Sequence, residues 1–232
     1  MENEFDRKIG RLTKSAAYLD YCEEVYGCRE YLFNMMDKAQ LDDLFGLVPL
    51  TQEDTLLDLG CGFGRILRLL SKKYGCRGTG LDLLPPSLTD TADDRIAYIQ
   101  GDIDELADFK LSPTVTICVD SLYFSKDLDA LLCELSRITQ KRLYLYYSQY
   151  LFNGATPDKR SLQKDHTPVA DILNKCSIPY ETIDYSENER ALYENSLKAL
   201  KKRKGAFESE GNLDLFEEKL REDTLGKQLY DG

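Results

Sequence analysis

Short apolar runs alternate with amphipathic segments through the middle of the chain. The apolar runs predict strands, and apolar positions three or four residues apart predict helices between them. The predicted strands are Thr55–Leu59, Gly78–Leu81, Ile96–Gln100, Thr114–Val119, Arg142–Tyr147 and Tyr180–Asp184. The predicted helices are Phe63–Tyr74, a weak one from Pro85, Asp127–Thr139 and His166–Cys176. This alternation indicates an α/β fold, a doubly wound, mostly parallel sheet with helices on both faces.

The two ends of the chain read differently from this middle part. Residues 1–14 are polar, and we expect no regular structure there, whereas Ser15–Phe45 has helical spacing interrupted at Gly27. Two charged segments near the C-terminus, Glu187–Lys204 and Asn212–Gln228, also predict helices. We therefore divide the chain into an N-terminal helical lid (1–50), an α/β core (51–185) and a C-terminal helical segment packing on the core (186–232).

The charge, the apolar content and the cysteines of the chain indicate which ligands and which cellular location to expect. The chain has 232 residues with a formal net charge of −11, which disfavours binding to nucleic acid or to an anionic membrane. No apolar run approaches the ~20 residues that span a bilayer, and the N-terminus has no apolar signal segment. The seven cysteines form no C-x-x-C pair, and no carboxylate cluster has metal-ligand spacing, so we predict no metal and a cytoplasmic protein.

A glycine-rich turn follows the first predicted strand. The sequence from Leu56 reads LLDLGCGFGR, with glycines at 60, 62 and 64. Glycine permits positive φ and lets a ligand approach the backbone, and the next helix directs free N–H groups toward the same place. The spacing is G-x-G-x-G, whereas the dinucleotide fingerprint has its third glycine one residue later. Asp58 lies just before the turn, where it can order the loop or accept hydrogen bonds from a ligand ammonium.

Acidic residues follow each of the next three strands. Asp82 ends the second strand, where a carboxylate can accept both hydroxyl groups of a ribose. Asp102 follows the third strand and Asp120 follows the fourth. Open α/β sheets bind ligands at the carboxyl ends of their strands, so these residues predict one ligand-binding edge.

These motifs resemble a known family. The stretch LLDLGCGFGR, the GLD ending at Asp82, the QGDI around Asp102 and the TVTICVDSLYF around Asp120 are similar to motifs I to IV of class I S-adenosylmethionine-dependent methyltransferases. The resemblance runs from about Ser15 to Asp184 and implies a Rossmann-like fold with S-adenosylmethionine as cofactor. It implies these cofactor-binding residues: Asp58, Gly60, Cys61, Gly62 and Gly64 around the methionine part, Asp82 at the ribose with Leu83 beside it, Asp102 and Ile103 at the adenine, and Asp120 and Ser121 next to the methionine moiety.

The predicted helices at both ends are similar to those of small-molecule methyltransferases of the glycine/sarcosine type, in which both segments close over the substrate. By this resemblance Tyr18, Tyr21, Tyr26 and Arg29 are candidates for lining the acceptor site. Packing tyrosines and a surface arginine would give the same sequence pattern.

Candidate groups for the reaction itself are few. His166 is the sole histidine and a candidate general base, although a cap or surface residue would look the same. Tyr147 belongs to a run of tyrosines at the end of the fifth strand, which either cage a cationic amine or form a buried aromatic strand. Tyr123 and Gln149 are further candidates for contact with the acceptor.

The leading hypothesis is in-line transfer of a methyl group to a small-molecule acceptor, with an amine nitrogen as the favoured acceptor atom, by a monomer or homodimer. One alternative is an NAD(P)-dependent oxidoreductase on a Rossmann sheet, which the glycine spacing and the absence of a Tyr-x-x-x-Lys pair disfavour. Another is a cofactor-binding module without turnover. The family's sheet usually ends with a seventh, antiparallel strand, which we do not find in this sequence.

Overall fold

The computed structural model describes residues 4–85, 93–148 and 158–231, which form two compact units. We call residues 42–148 with 163–182 the sheet unit, and residues 1–41 with 149–162 and 183–232 the helical unit. The α-helices among the described residues are α1 (Glu4–Leu12), α2 (Ala16–Tyr26), α3 (Lys38–Leu47), α4 (Arg65–Tyr74), α5 (Leu128–Ile138), α6 (Pro168–Lys175), α7 (Ser186–Ser209) and α8 (Leu213–Asp231). The weak helix predicted from Pro85 lies largely outside the described residues.

The sheet unit contains a five-stranded, entirely parallel sheet. Its strands are β1 (Thr55–Leu59), β2 (Arg77–Asp82), β3 (Ile96–Gln100), β4 (Val115–Val119) and β5 (Arg142–Tyr146). The strand order is β3-β2-β1-β4-β5, so β1 and β4 are interior strands. In the register, Leu59 pairs with Leu81, Asp82 with Gln100, and Val119 with Tyr146. The carboxyl ends of all five strands therefore lie along one edge of the sheet.

The helices of this unit cover the sheet because both faces of its central strands are apolar. All five residues of β4 are buried, which is typical of a parallel strand covered on both sides. Local signals position the helices: Asp127 accepts a hydrogen bond from the Ala130 N–H to begin α5, and Thr167 accepts one from the Ala170 N–H to begin α6. The doubly wound, Rossmann-like fold class predicted from the sequence is confirmed.

The helical unit joins the two ends of the chain. α7 and α8 pack against each other, and α2 packs against α7. The Tyr21 hydroxyl is 2.6 Å from the Ser196 hydroxyl. Glu210, between α7 and α8, accepts hydrogen bonds from the Ser15 hydroxyl and the Ala17 N–H at the start of α2. The first and last segments of the chain thus fold into one unit.

Three secondary-structure predictions are wrong. Part of the polar N-terminus forms α1, which Arg11 anchors through an ion pair with Asp214 at 2.6 Å. The helical pattern predicted to continue after Gly27 is broken: Gly27 adopts φ +69° and ends α2, and the next helix, α3, begins only at Lys38. Tyr180–Asp184 is not a strand: none of its five residues is buried, and Ile183 is 52% exposed. Among the described residues, neither this sixth strand nor a seventh extends the sheet.

Candidate functional site

The glycine turn between β1 and α4 is held by the neighbouring strand. The N–H groups of Gly60 and Cys61 donate to the Leu81 carbonyl at 2.8 and 3.3 Å. Gly60, Gly62 and Gly64 adopt φ of 70°, 54° and 69°, values that favour glycine. The turn predicted from the sequence is therefore present and ordered by β2.

The three glycines of this turn differ in what surrounds them. A Cβ at Gly60 would lie 2.3 Å from the Ser121 Oγ, and one at Gly64 would lie 2.2 Å from the Tyr98 hydroxyl. A Cβ at Gly62 would meet no protein atom within 4 Å. Gly60 and Gly64 thus allow the turn to pack, whereas Gly62 faces open space in which a ligand can reach the backbone.

Asp82 joins the end of β2 to the glycine turn. Its Oδ2 accepts the Gly62 N–H at 2.7 Å, and its Oδ1 accepts the Leu84 N–H at 2.9 Å. Burial raises the pKa of Asp82 above its ordinary value, although these backbone hydrogen bonds oppose the shift. Each carboxylate oxygen keeps a second acceptor site for a ligand hydroxyl. Leu83, next in the chain, is 50% exposed and offers an apolar surface beside this carboxylate.

Asp58 is a buried carboxylate beneath the turn, only 2% exposed. It accepts a hydrogen bond from the Leu67 N–H in the first turn of α4. Burial, and next the charge of Asp82, raise the pKa of Asp58 to about 7. The contact with Leu67 is the loop-ordering role that the sequence allowed, since it fixes the start of α4 against β1.

The residues after β3 form a capped turn. Asp102 accepts the Asp104 N–H at 3.0 Å and begins the short 3₁₀ segment Ile103–Phe109. Lys126 Nζ lies 3.0 Å from the second carboxylate oxygen of Asp102. The hydrogen bond from Asp104, and then Lys126, lower the pKa of Asp102. Ile103 is buried in the core of the sheet unit.

The residues after β4 connect three strand ends. Ser121 Oγ donates to the Leu59 carbonyl at 3.0 Å, which ties the end of β4 to that of β1. The Asp120 N–H donates to the Tyr146 carbonyl of β5 at 3.0 Å. Asp120 adopts φ +56°, which is uncommon for a residue with a side chain, and its carboxylate accepts a hydrogen bond from the buried Ser148 hydroxyl.

The candidates for the acceptor site lie within the helical unit. Tyr18 donates to the Leu32 carbonyl at 2.6 Å, and Tyr26 donates to the Asn34 carbonyl at 2.8 Å. Tyr21 pairs with a serine hydroxyl of α7, as described above. Burial raises the pKa of all three tyrosines. Arg29 is exposed and forms ion pairs with acidic residues of α2. A role for these four residues in binding an acceptor stays a prediction.

Three of the four remaining candidates occupy separate places in the sheet unit. His166 is exposed in the turn before α6, where its N–H donates to the Gln163 carbonyl at 2.8 Å. Tyr147 packs against the core cluster that α5 and α6 share with the sheet. Tyr123 is half-buried after β4, with its ring centroid 4.7 Å from that of Phe124. Gln149 lies outside the described residues, and the catalytic and acceptor roles of all four stay predictions.

Three neighbours of the site were not expected from the sequence. The Tyr98 ring on β3 lies against Gly64 and Gly80, Ser148 contacts Asp120, and Lys126 contacts Asp102. The alternation in IAYIQ indicates only that Tyr98 points to one face of the sheet, and no motif marks Ser148 or Lys126. In the described part of the chain, no cluster of metal-ligating residues is found and no helix is long and apolar enough to cross a membrane.

Comparisons with known proteins agree with this geometry. Residues 57–146 match a family described as a methyltransferase domain. No curated protein matches the sequence. The fold is similar to that of phosphoethanolamine N-methyltransferase 2 of Haemonchus contortus, solved with phosphomonomethylethanolamine and S-adenosylhomocysteine (TM-score 0.66, 17% identity). That match covers 94% of this chain but only 56% of the other.

Two further structures show the same fold. The cyclopropane synthase MmaA2 of Mycobacterium tuberculosis has a TM-score of 0.65 and 14% identity, with 100% of this chain and 95% of that one covered. A putative sarcosine dimethylglycine methyltransferase of Galdieria sulphuraria has a TM-score of 0.54 and 18% identity, with 83% and 77% covered. The chain thus has the fold of the S-adenosylmethionine-dependent methyltransferases. Residues 57–146 match a methyltransferase domain, and the predicted fold is confirmed.

Proposed function

We propose that the protein transfers a methyl group from S-adenosylmethionine to a small-molecule acceptor, with an amine nitrogen as the leading acceptor atom. The observation that carries this proposal is the contact between the Gly62 N–H and Asp82 at the carboxyl edge of the sheet. It places open backbone beside a carboxylate, within the stretch that matches the methyltransferase domain.

The residues present at this edge fit the cofactor. Asp82 has acceptor sites for two ribose hydroxyls, and the exposed Leu83 offers an apolar contact for a purine ring. The open side of Gly62 leaves room for the methionine part near the N-terminus of α4. We assign Asp102 and Ile103 to the adenine, and Asp120 and Ser121 to the methionine end, as the resemblance implies.

The main task of this chain in the reaction is to orient the methyl donor and the acceptor. S-adenosylmethionine supplies a methyl group already activated on a sulfonium, so the protein needs no nucleophile of its own. Holding two reactants in line can lower a barrier by roughly 7–11 kcal/mol. Asp58 and Asp82 lie beside the glycine turn with raised pKa values, and a cationic ligand bound there would favour their ionised forms. His166 stays the candidate base for an acceptor that arrives protonated.

Two observations support an amine acceptor. The formal net charge of −11 favours cationic over anionic ligands. Two of the similar structures are a phosphoethanolamine N-methyltransferase and a putative sarcosine dimethylglycine methyltransferase. The similarity to a cyclopropane synthase shows that this fold alone does not fix the acceptor. The assignment to an amine therefore rests on charge and on two distant neighbours.

The proposal also covers where and in what form the protein acts. All seven cysteines are free thiols, which supports a reducing, cytoplasmic location. We keep the monomer or homodimer as the assembly. The methyltransferase-domain match disfavours the alternative of an NAD(P)-dependent oxidoreductase. The other alternative, a cofactor-binding module without turnover, has to be distinguished from an enzyme by an activity assay.

The proposal is tested by incubating the full chain with a methyl-labelled donor and a panel of small amines, phenols and thiols. We expect labelled product with an amine, and loss of that product in Asp82→Ala. Asp93→Ala is the matched control, because Asp93 lies before the amino end of β3, at the opposite edge of the sheet. Binding of S-adenosylhomocysteine without transfer to any acceptor would favour the non-catalytic module. Absence of binding would refute the cofactor assignment.

A further inference from the structure

Two cysteines meet where α5 and α6 pack together in the sheet unit. The Sγ atoms of Cys133 on α5 and Cys176 at the end of α6 lie 3.8 Å apart. Cys133 is exposed and Cys176 is half-buried, whereas Cys22, Cys76 and Cys118 are buried. The pair therefore combines proximity with access from solvent.

An ion pair holds the two helices together next to these thiols. Lys175 Nζ on α6 lies 2.5 Å from Asp129 Oδ1 on α5. Asp129 is one helical turn before Cys133, and Lys175 directly precedes Cys176, so the ion pair joins the two helices beside the two sulfur atoms. A disulfide requires an S–S distance of about 2.05 Å. Rotation of the exposed Cys133 side chain can bring its sulfur atom closer to that of Cys176 and so shorten the 3.8 Å between them.

We propose that Cys133 and Cys176 form a reversible intramolecular disulfide when the protein meets a peroxide. The Cys133 thiolate attacks one oxygen of hydrogen peroxide, the O–O bond breaks, and hydroxide leaves, which produces a sulfenic acid. The Cys176 thiolate, having lost its proton to water, attacks the Cys133 sulfur and displaces hydroxide. In total, two thiols lose two electrons, one peroxide becomes two waters, and a dithiol reductant reverses the change.

The surrounding groups set the pH dependence of this oxidation. The Cys176 thiol, followed by Asp129, raises the pKa of Cys133, while Lys175 opposes the shift. Thiolates are the reactive species, so the rate of disulfide formation rises with pH above neutrality. The geometry determines that the product is an internal disulfide, since the second thiol is already in contact.

Trypsin provides a direct test on the full chain. Cleavage after Lys126 and Arg137 releases a peptide containing Cys133, and cleavage after Lys175 and Arg190 releases one that begins at Cys176. After treatment with hydrogen peroxide, we expect non-reducing mass spectrometry to find the two peptides joined, with a loss of two hydrogens. Dithiothreitol should separate them.

Variants connect this bond to the named residues. Cys133→Ser and Cys176→Ser should each abolish the joined peptide, whereas Cys28→Ser, in the helical unit, should retain it. The bond closes a loop of 43 residues, so oxidation should raise the Tm of the wild type by on the order of 5 °C or more, and should leave that of Cys133→Ser unchanged. Separate oxidation of the two cysteines, or links between chains without the joined peptide, would overturn the proposal. These readouts involve no methyl transfer and do not depend on the proposed function.

Discussion

Replacing Asp82 by alanine gives the sharpest test of the site. The carboxylate accepts two backbone N–H groups, from Gly62 in the glycine turn and from Leu84 after β2. The same carboxylate is assigned to the ribose hydroxyls. Asp82→Ala therefore removes a ligand contact and releases the turn at the same time, and both changes act against cofactor binding.

The magnitude follows from these contacts. A hydrogen bond to a charged acceptor contributes about 1.5–3 kcal/mol, which corresponds to roughly a ten- to hundred-fold loss of affinity. Leaving the two N–H groups without an acceptor adds a folding cost of about 1–3 kcal/mol for each group that stays buried. The charge of Asp82 also repels that of Asp58 and raises its pKa. Removing Asp82 ends this repulsion, which offsets part of the folding cost.

Calorimetric titration of S-adenosylhomocysteine measures the binding effect, and urea unfolding measures the folding cost. Asp82→Asn keeps the shape of the side chain but has only one acceptor oxygen, so it should lose affinity nearly as strongly as alanine. Asp93→Ala, whose partner Arg95 lies at the amino end of β3 and away from the carboxyl ends of the strands, should bind S-adenosylhomocysteine like the wild type. If wild type and Asp82→Ala bind with equal affinity while both remain folded, Asp82 is not part of the cofactor site.

Three further substitutions test the surroundings of the turn. The pKa of Asp58 is raised to about 7, so its contribution to stability is present below its ordinary pKa and is lost as pH rises through 7. As pH rises from 5 to 7, the free energy of unfolding of Asp58→Asn should therefore rise relative to that of the wild type by roughly 1.4 kcal/mol per pH unit, with little further change above pH 8. A difference that stays constant with pH in urea unfolding would contradict this. Ser148→Ala, which removes the donor to Asp120, should weaken S-adenosylhomocysteine binding several-fold by calorimetry with an unchanged circular dichroism spectrum; unchanged affinity would remove Ser148 from the site. Gly64→Ala should lower the free energy of unfolding by about 1–3 kcal/mol, because its Cβ would lie 2.2 Å from the Tyr98 hydroxyl. Equal stability of variant and wild type would show that the Tyr98 side chain moves aside without cost.

The sheet and the glycine turn were predictable because their signals are local. The central strands β1 and β4 are short, mostly apolar runs, and the acidic residues at the strand ends follow in the order of the chain. The predicted strand Thr55–Leu59 and the observed β1 have the same bounds. The identity of the binding edge then follows from the parallel arrangement alone.

The errors came from interactions between distant parts of the chain. The sequence of α1 is too polar to predict a helix, and its long-range contacts form only in the folded chain: Arg11 pairs with Asp214, Lys8 pairs with Glu218, and Ile9 is buried. Tyr180–Asp184 has a partly β-like composition, yet none of the strands among the described residues pairs with it. The contact between Ser148 and Asp120 joins residues 28 positions apart and leaves no periodic pattern.

The helical unit has a consequence for biosynthesis. Tyr21 on α2 reaches its partner on α7 across 175 residues. At ~5–20 residues per second, a ribosome needs roughly 10–35 s to make that interval. β1 to β4 emerge within this time and can already pair, because their partners are close in sequence. The nascent chain therefore carries the face of α2 that includes Tyr21 without its α7 partner until α7 has left the ribosome.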